Sequence, residues 1–242
     1  MIFMKVPLRF EKTIVFALLF FSYMAFANSI NADVILRVDG NGFHRTLNYI
    51  VHLENFEREN CHVALYFEFQ PALHVNIDEI ADLLRKGEIT SCSEGEFDVE
   101  LFAEKAGSQN VTVCSPLIGS EVTLNLPIHQ RYHAAREGGG YVELRIPKPK
   151  LLLGCDERIK ENRISKLKFC SPCFDLAEKW REVPYNLNPE AEDYIWYVPV
   201  GDTLMLPIVT WVTNIVVTCG TLYILWILYK VNVLDERHIK QS

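Results

Sequence analysis

Residues 124–156, LNLPIHQRYHAAREGGGYVELRIPKPKLLLGCD, decide the fold class of this chain. Leu124, Leu126 and Ile128 alternate with Asn125, Pro127 and His129, so an extended backbone puts the apolar side chains on one face and the polar ones on the other. Gly138-Gly139-Gly140 then breaks the run, and Val142, Leu144 and Ile146 restore the alternation. Two half-buried strands joined through a glycine-rich turn imply an antiparallel return. Outward from this stretch the same pattern recurs at Val34, Leu36 and Val38, at Val63, Leu65, Phe67 and Phe69, at Phe97, Val99 and Leu101, and at Val122 ahead of Leu124. With turn residues such as Asp39 to Gly42 between them, these runs predict a mainly β domain, an antiparallel β-sandwich with one short helix.

That helix is predicted after Asn76. Asn76 and Glu79 have the spacing of a capping box, Ile77, Ile80, Leu83 and Leu84 make an apolar face, and Gly87 can close the end. Between Lys148 and Pro189 the pattern degrades, with cysteines and prolines crowding together, and a loop-rich, disulfide-tied region is expected.

The termini set the topology. Lys5, Arg9 and Lys12 precede an apolar run from Ile14 to Phe26, and Ala25-Phe26-Ala27 offers small residues for cleavage, so residues 1–27 are expected to be a signal peptide. Residues 203–229, TLMLPIVTWVTNIVVTCGTLYILWILY, carry no charge and span about 40 Å as a helix, more than the ~30 Å hydrocarbon core. Residues 28–202 then form a luminal domain of a single-pass type I membrane protein, and residues 230–242 a cytoplasmic tail. On a helical wheel Thr210, Asn214 and Thr218 share a narrow sector with Pro207 and Thr221, which predicts a polar stripe turned towards another helix in the bilayer. The tail has no paired-lysine retrieval signal, so retention in the endoplasmic reticulum would depend on a partner.

Composition excludes some function classes. A net charge of -7 without a basic patch argues against nucleic acid as a partner. Six cysteines, Cys61, Cys92, Cys114, Cys155, Cys170 and Cys173, fall outside the cytosol, enough for up to three disulfides among fifteen possible pairings; Cys219 lies in the membrane segment. Asn110-Val111-Thr112 is a glycosylation sequon that this topology would expose.

Catalytic and cofactor motifs are not evident. Cys170-Ser171-Pro172-Cys173 has redox spacing, but no βαβ pattern surrounds it to supply a helix N-terminus for the thiol, and a structural role is expected. His129 and His133 sit four apart, which on a strand separates them by roughly 13 Å and prevents a shared metal. His44, His52, His62 and His74 stand singly. No phosphate-binding glycine loop, nucleophile elbow or Asp-x-Asp pair is present, so no cofactor and no metal site is assigned. The cluster His129, Arg131, Tyr132 and His133 instead has the large anchoring side chains of a contact surface; packing at the sandwich edge is the other reading of the same residues.

Leu126-Pro127-Ile128-His129-Gln130-Arg131-Tyr132-His133 resembles the Leu-Pro-Val-His-x-Arg-Tyr-His signature of the phosphatidylinositol-glycan biosynthesis class X family, related to the yeast protease B non-derepressible protein. The likeness continues in Leu151 to Asp156 and in Val198-Pro199-Val200-Gly201 ahead of the membrane segment. The resemblance implies a non-catalytic subunit of glycosylphosphatidylinositol (GPI) mannosyltransferase I in the endoplasmic reticulum membrane. Its implied partner is the multi-spanning class M mannosyltransferase, which transfers the first mannose from dolichol-phosphate-mannose to the glucosaminyl-phosphatidylinositol intermediate. His129 to His133 on the luminal side and Thr210, Asn214 and Thr218 in the bilayer are then the expected partner contacts. A type I cargo receptor would share the topology but should carry a heptad-rich stalk and tail sorting signals; a thiol oxidoreductase would use Cys170 and Cys173.

Overall fold

The computed structural model describes residues 30–54, 56, 58–157, 159, 169–189 and 194–239. The expected signal peptide, residues 1–27, lies outside them, as does the end of the tail.

Two five-stranded sheets face each other. In the first, β1 (Ala32–Asp39), β2 (His44–Leu53) and β7 (Glu121–Gln130) run antiparallel, with β4 (Leu73–His74) beyond β7 and β11 (Tyr185–Leu187) beyond β1. In the second the order is β10 (Trp180–Glu182), β9 (Lys150–Cys155), β3 (Cys61–Phe69), β6 (Gln109–Pro116) and β5 (Thr90–Gly95). The strand after the glycine-rich turn does not return on β7 as expected: β8 (Gly140–Arg145) pairs instead with β12 (Ile195–Val200) in a separate ribbon, and β7 has β2 and β4 as its neighbours. Pairing is antiparallel throughout except between β1 and β11, which are parallel. The mainly β, sandwich-like architecture therefore stands. The parallel partner of β1 comes from 153 residues further along the chain, beyond anything alternation can indicate.

The core forms where alternating faces meet, those of β3 and β7 expected from the sequence and that of β2 seen in the structure. Leu47, Tyr49 and Val51 of β2 and Leu124, Leu126 and Ile128 of β7 pack in one cluster with Val63, Leu65, Phe67 and Phe69 of β3. Trp196 and Val198 of the ribbon close the same cluster, Trp196 beneath the guanidinium of Arg45 at 4.3 Å from its ring centroid. The second sheet is also buried on its outer face. Ala64, Tyr66, Cys114 and Leu152 lie under Cys173 and Trp180 of the segment that follows β9. Gly154 permits this approach, because a Cβ there would stand 2.6 Å from Cβ of Ala177 and 2.9 Å from the Trp180 ring.

Two disulfides, Cys92–Cys170 and Cys114–Cys173, fix that cover, and a third, Cys61–Cys155, joins the neighbouring strands β3 and β9 on the side of the main core. Cys170 and Cys173 thus bond to different strands and not to each other, which removes the dithiol pair that an oxidoreductase needs. The region from Lys148 to Pro189 is also more regular than expected. Leu151-Leu152-Leu153 belongs to a strand buried on both faces, whose continuous apolar run has no period of two to reveal it.

One predicted strand is a loop. Phe97, Val99 and Leu101 alternate with acidic residues, yet Glu96 accepts from the Asp98 N–H at 3.0 Å and Asp98 accepts from the Glu100 N–H at 2.9 Å. These side chains capture donors that a ladder would use, and Phe97 and Val99 are left exposed.

The helix is α1 (Ile77–Lys86). Asn76 caps it by accepting from the Asp78 N–H, and Gly87 ends it at φ 72°. Only half of the expected capping box forms, because Glu79 points its carboxylate elsewhere. The apolar face is shallow: Ile80 is buried, while Ile77 and Leu84 are exposed.

Candidate partner interface

The cluster at the end of β7 does not present one face. His129, directly opposite His44 in the β2–β7 register, turns towards α1, where its Nε2 lies 2.8 Å from Glu79 Oε2. His44 Nε2 lies 3.2 Å from the other oxygen of Glu79. His74 packs against His129 from below, and burial, with the Arg131 guanidinium and His129 adding to it, pushes the His74 imidazole down to about 4. Of the histidines that stand singly in the sequence, His44 and His74 are thus gathered beside His129, and His52, His62 and His133 are not among them.

Arg131, expected at a partner surface, is 2% exposed. Its Nη1 donates to the carbonyls of Asp98 and Leu101, and its backbone N–H donates to Ala72 O at 2.8 Å. A guanidinium held this way cannot reach a partner; it positions the loop of residues 97–104. His133 Nδ1 lies 3.1 Å from Glu104, whose carboxylate also accepts from the Ala134 N–H. Burial is the largest single influence on Glu104 and pushes it up, but its own and Ala134's backbone N–H groups and His133 together outweigh it and hold the carboxyl below its ordinary value. Tyr132 alone points outward, 64% exposed, its ring 4.6 Å from that of Phe43. Beside it the Ala103 N–H donates to Tyr132 O, so exposed Phe102 extends the same apolar surface.

From this surface the chain runs directly to the foot of the long helix. Arg136 N donates to Gly201 O at 2.9 Å, Thr203 N donates to Arg136 O at 3.1 Å, and Asp202 Oδ1 accepts from both Gly138 N and Leu204 N. Gly139 closes the clasp at φ 56°, where a Cβ would meet Val200 O at 3.1 Å. Five residues separate Arg131 from Arg136, a reach of at most about 18 Å. The exposed Tyr132, next to Arg131, therefore lies within that distance of the clasp from which the helix departs.

That helix is α2 (Leu206–Ile239), preceded by a 3-10 turn over Thr203–Met205 that Asp202 caps. Residues Thr203–Val231 have a mean hydropathy of 1.8 and are bare along their length. This is one helix among the described residues long and apolar enough to cross a membrane, and with three disulfides it fits a membrane protein with a luminal domain. Within the stripe, Thr210 and Thr221 bond back to Leu206 O and Val217 O, each at 2.8 Å. Thr218 and Asn214 make no hydrogen bond among the described residues. An amide left so in hydrocarbon costs several kcal/mol.

The sequence profile described as PIG-X / PBN1 matches residues 40–229, from the first turn of the sandwich to the end of the apolar segment. The chain belongs to the PIG-X / PBN1 family. Protein pbn1 of Schizosaccharomyces pombe is 23% identical over 203 residues, which cover 78% of this chain and 57% of that protein. No solved structure matches significantly.

Membership in the PIG-X / PBN1 family supports a role in GPI-anchor biosynthesis. Against that background the residues singled out by sequence separate clearly. Tyr132 and Asn214 are exposed, His129 and His133 are engaged with Glu79 and Glu104, and Arg131 is internal. Asn110 is half-buried within β6, paired to Glu68 and Glu94 on either side, with Thr112 fully buried below. Glu79, Glu104, Arg136 and Asp202 escape sequence reading because each acts on a residue at least 29 positions away or on a turn. Only the Asp202-x-Leu204 capping spacing next to an apolar run could have pointed to one of them.

Proposed function

We propose that this protein is a non-catalytic, stabilising subunit of GPI mannosyltransferase I in the endoplasmic reticulum membrane. Its partner is the multi-spanning class M mannosyltransferase, which moves the first mannose from dolichol-phosphate-mannose to glucosaminyl-phosphatidylinositol. The observation that carries this reading is the continuity from Tyr132 through the Arg136–Asp202 clasp to a bare helix bearing Asn214. A helix of this kind, anchored to a rigid domain, has two surfaces that a larger membrane protein can cover at once. Family membership supplies the pathway, and the separate bonding of Cys170 and Cys173 speaks against a dithiol catalyst.

In the bilayer, Asn214 supplies an interhelical hydrogen bond of about 0.6 to 2 kcal/mol, and Tyr132 supplies an aromatic anchor on the luminal side. Asn214→Leu is therefore expected to weaken association with the mannosyltransferase by about 3- to 30-fold while leaving the luminal domain folded. Combined with Tyr132→Ala, it should lower both co-purification of the enzyme and the surface level of GPI-anchored proteins measured by flow cytometry. Unchanged levels of both in the double variant would show that neither residue forms the contact.

A further inference from the structure

We propose that His44, Glu79 and His129 form a binding site for a divalent transition cation of the zinc class. The site is independent of the mannosyltransferase reading. The three side chains come from three elements, the first residue of β2, the first turn of α1 and the end of β7, and their ligand atoms all lie within 4.8 Å of one another. Glu79 faces both rings, Oε2 at 2.8 Å from His129 Nε2 and Oε1 at 3.2 Å from His44 Nε2, so small side-chain rotations bring one oxygen and the two nitrogens to the roughly 3.3 to 3.6 Å between neighbouring donors around tetrahedral zinc with bonds of about 2.0 to 2.2 Å. His44, exposed at the start of its strand, has room to turn into place.

Two imidazole nitrogens and one carboxylate oxygen suit zinc and its neighbours, whereas calcium and magnesium take oxygen sets. His74, buried against the His129 ring at a centroid distance of 5.4 Å, limits how that ring can turn. The set faces a cleft of about 490 Å³ between α1 and the sheet edge. Asp82, one turn along α1 from Glu79, lines that cleft and offers a further carboxylate, which is paired with Arg85. Lys86 also lines the cleft and is the opposing charge there.

The cation would do for α1 what its shallow apolar face does not. Of its own residues only Ile80 is buried, so the Glu79 contacts add to a small apolar attachment. Replacing these two histidine–carboxylate hydrogen bonds with three metal bonds ties α1 to β2 and β7 through one centre. Coordination needs the Nε2 lone pair of each imidazole: the neutral ring then carries its one proton on Nδ1, and an imidazolium loses its Nε2 proton to solvent as the metal binds.

The test uses the full chain with Cys219→Ser, to remove the free thiol as a competing ligand, purified in detergent through a tag without histidine and stripped with a chelator. Titration with Zn²⁺ should show saturable uptake of about one equivalent and a raised Tm, and Co²⁺ should give the visible absorption of a four-coordinate site. His44→Asn and His129→Gln should each weaken uptake at least about tenfold, the loss that outer-shell changes alone can cause, whereas His52→Asn on the exposed side of β2 should not. His44 is a surface residue, so its variant stays folded even if the His129 variant does not. Absence of saturable uptake by the unmodified site, or uptake by His44→Asn equal to that of His52→Asn, would overturn the proposal.

Discussion

Replacing Cys173 with Ser is expected to lower the stability of the protein by about 2 to 5 kcal/mol and to reduce its abundance in cells accordingly. Cys173 is fully buried and bonds to Cys114 on β6, 59 residues away, and that bond holds the segment carrying Phe174 and Trp180 over the outer face of the second sheet. Without it, Ala64, Tyr66 and Leu152 lose the cover that makes this face part of the interior. Cys114→Ser should have the same effect, and the double variant should be no worse than either, because both changes remove one bond. Thermal melts of the purified full chain, with steady-state levels in cells, measure both quantities. A stable, abundant Cys173→Ser protein with lost function would instead point to thiol chemistry.

Trp196→Ala should cost about 3 to 5 kcal/mol. The ring is 1% exposed and fills the space between the ribbon and the main core, with Arg45 stacked on it. Its loss leaves a large cavity and strips the guanidinium of its aromatic partner. The damage should also reach the membrane helix, because β12 runs into Gly201 and Asp202, whose bonds to Arg136 and Gly138 set the helix on the domain. Chemical denaturation should show the loss of stability. Tyr197→Ala, one residue on with a 55% exposed ring, should stay within about 0.5 kcal/mol and serves as the control.

The parts of the fold legible in the sequence are those where one local rule decides. The strands with one face on the core, β1, β7 and much of β3, show their period of two, and Asn76 and Gly87 mark α1 by their backbone roles. β9 is hidden because burial on both faces erases the period. The false strand at Phe97 to Leu101 arises because hydropathy alternates there while Glu96 and Asp98 bind the backbone. The site follows the same division. Asn214 stands out in its own segment, since an amide in an apolar helix is conspicuous without knowledge of the fold. The meeting of Glu79 with His44 and His129, and the burial of Arg131 under residues 98–101, depend on pairings across 30 to 50 positions that alternation does not encode.

The central claim is that a rigid β domain and its single bare helix steady a larger membrane enzyme and perform no reaction themselves. It is tested most directly by following the half-life of the multi-spanning mannosyltransferase in cells lacking this protein, with the full chain restored as the comparison. The expected result is rapid loss of the enzyme and of surface GPI-anchored proteins, both recovered on restoration. An enzyme that persists at its normal level and activity in the deletion, or mannose transfer by this chain purified alone, would contradict it.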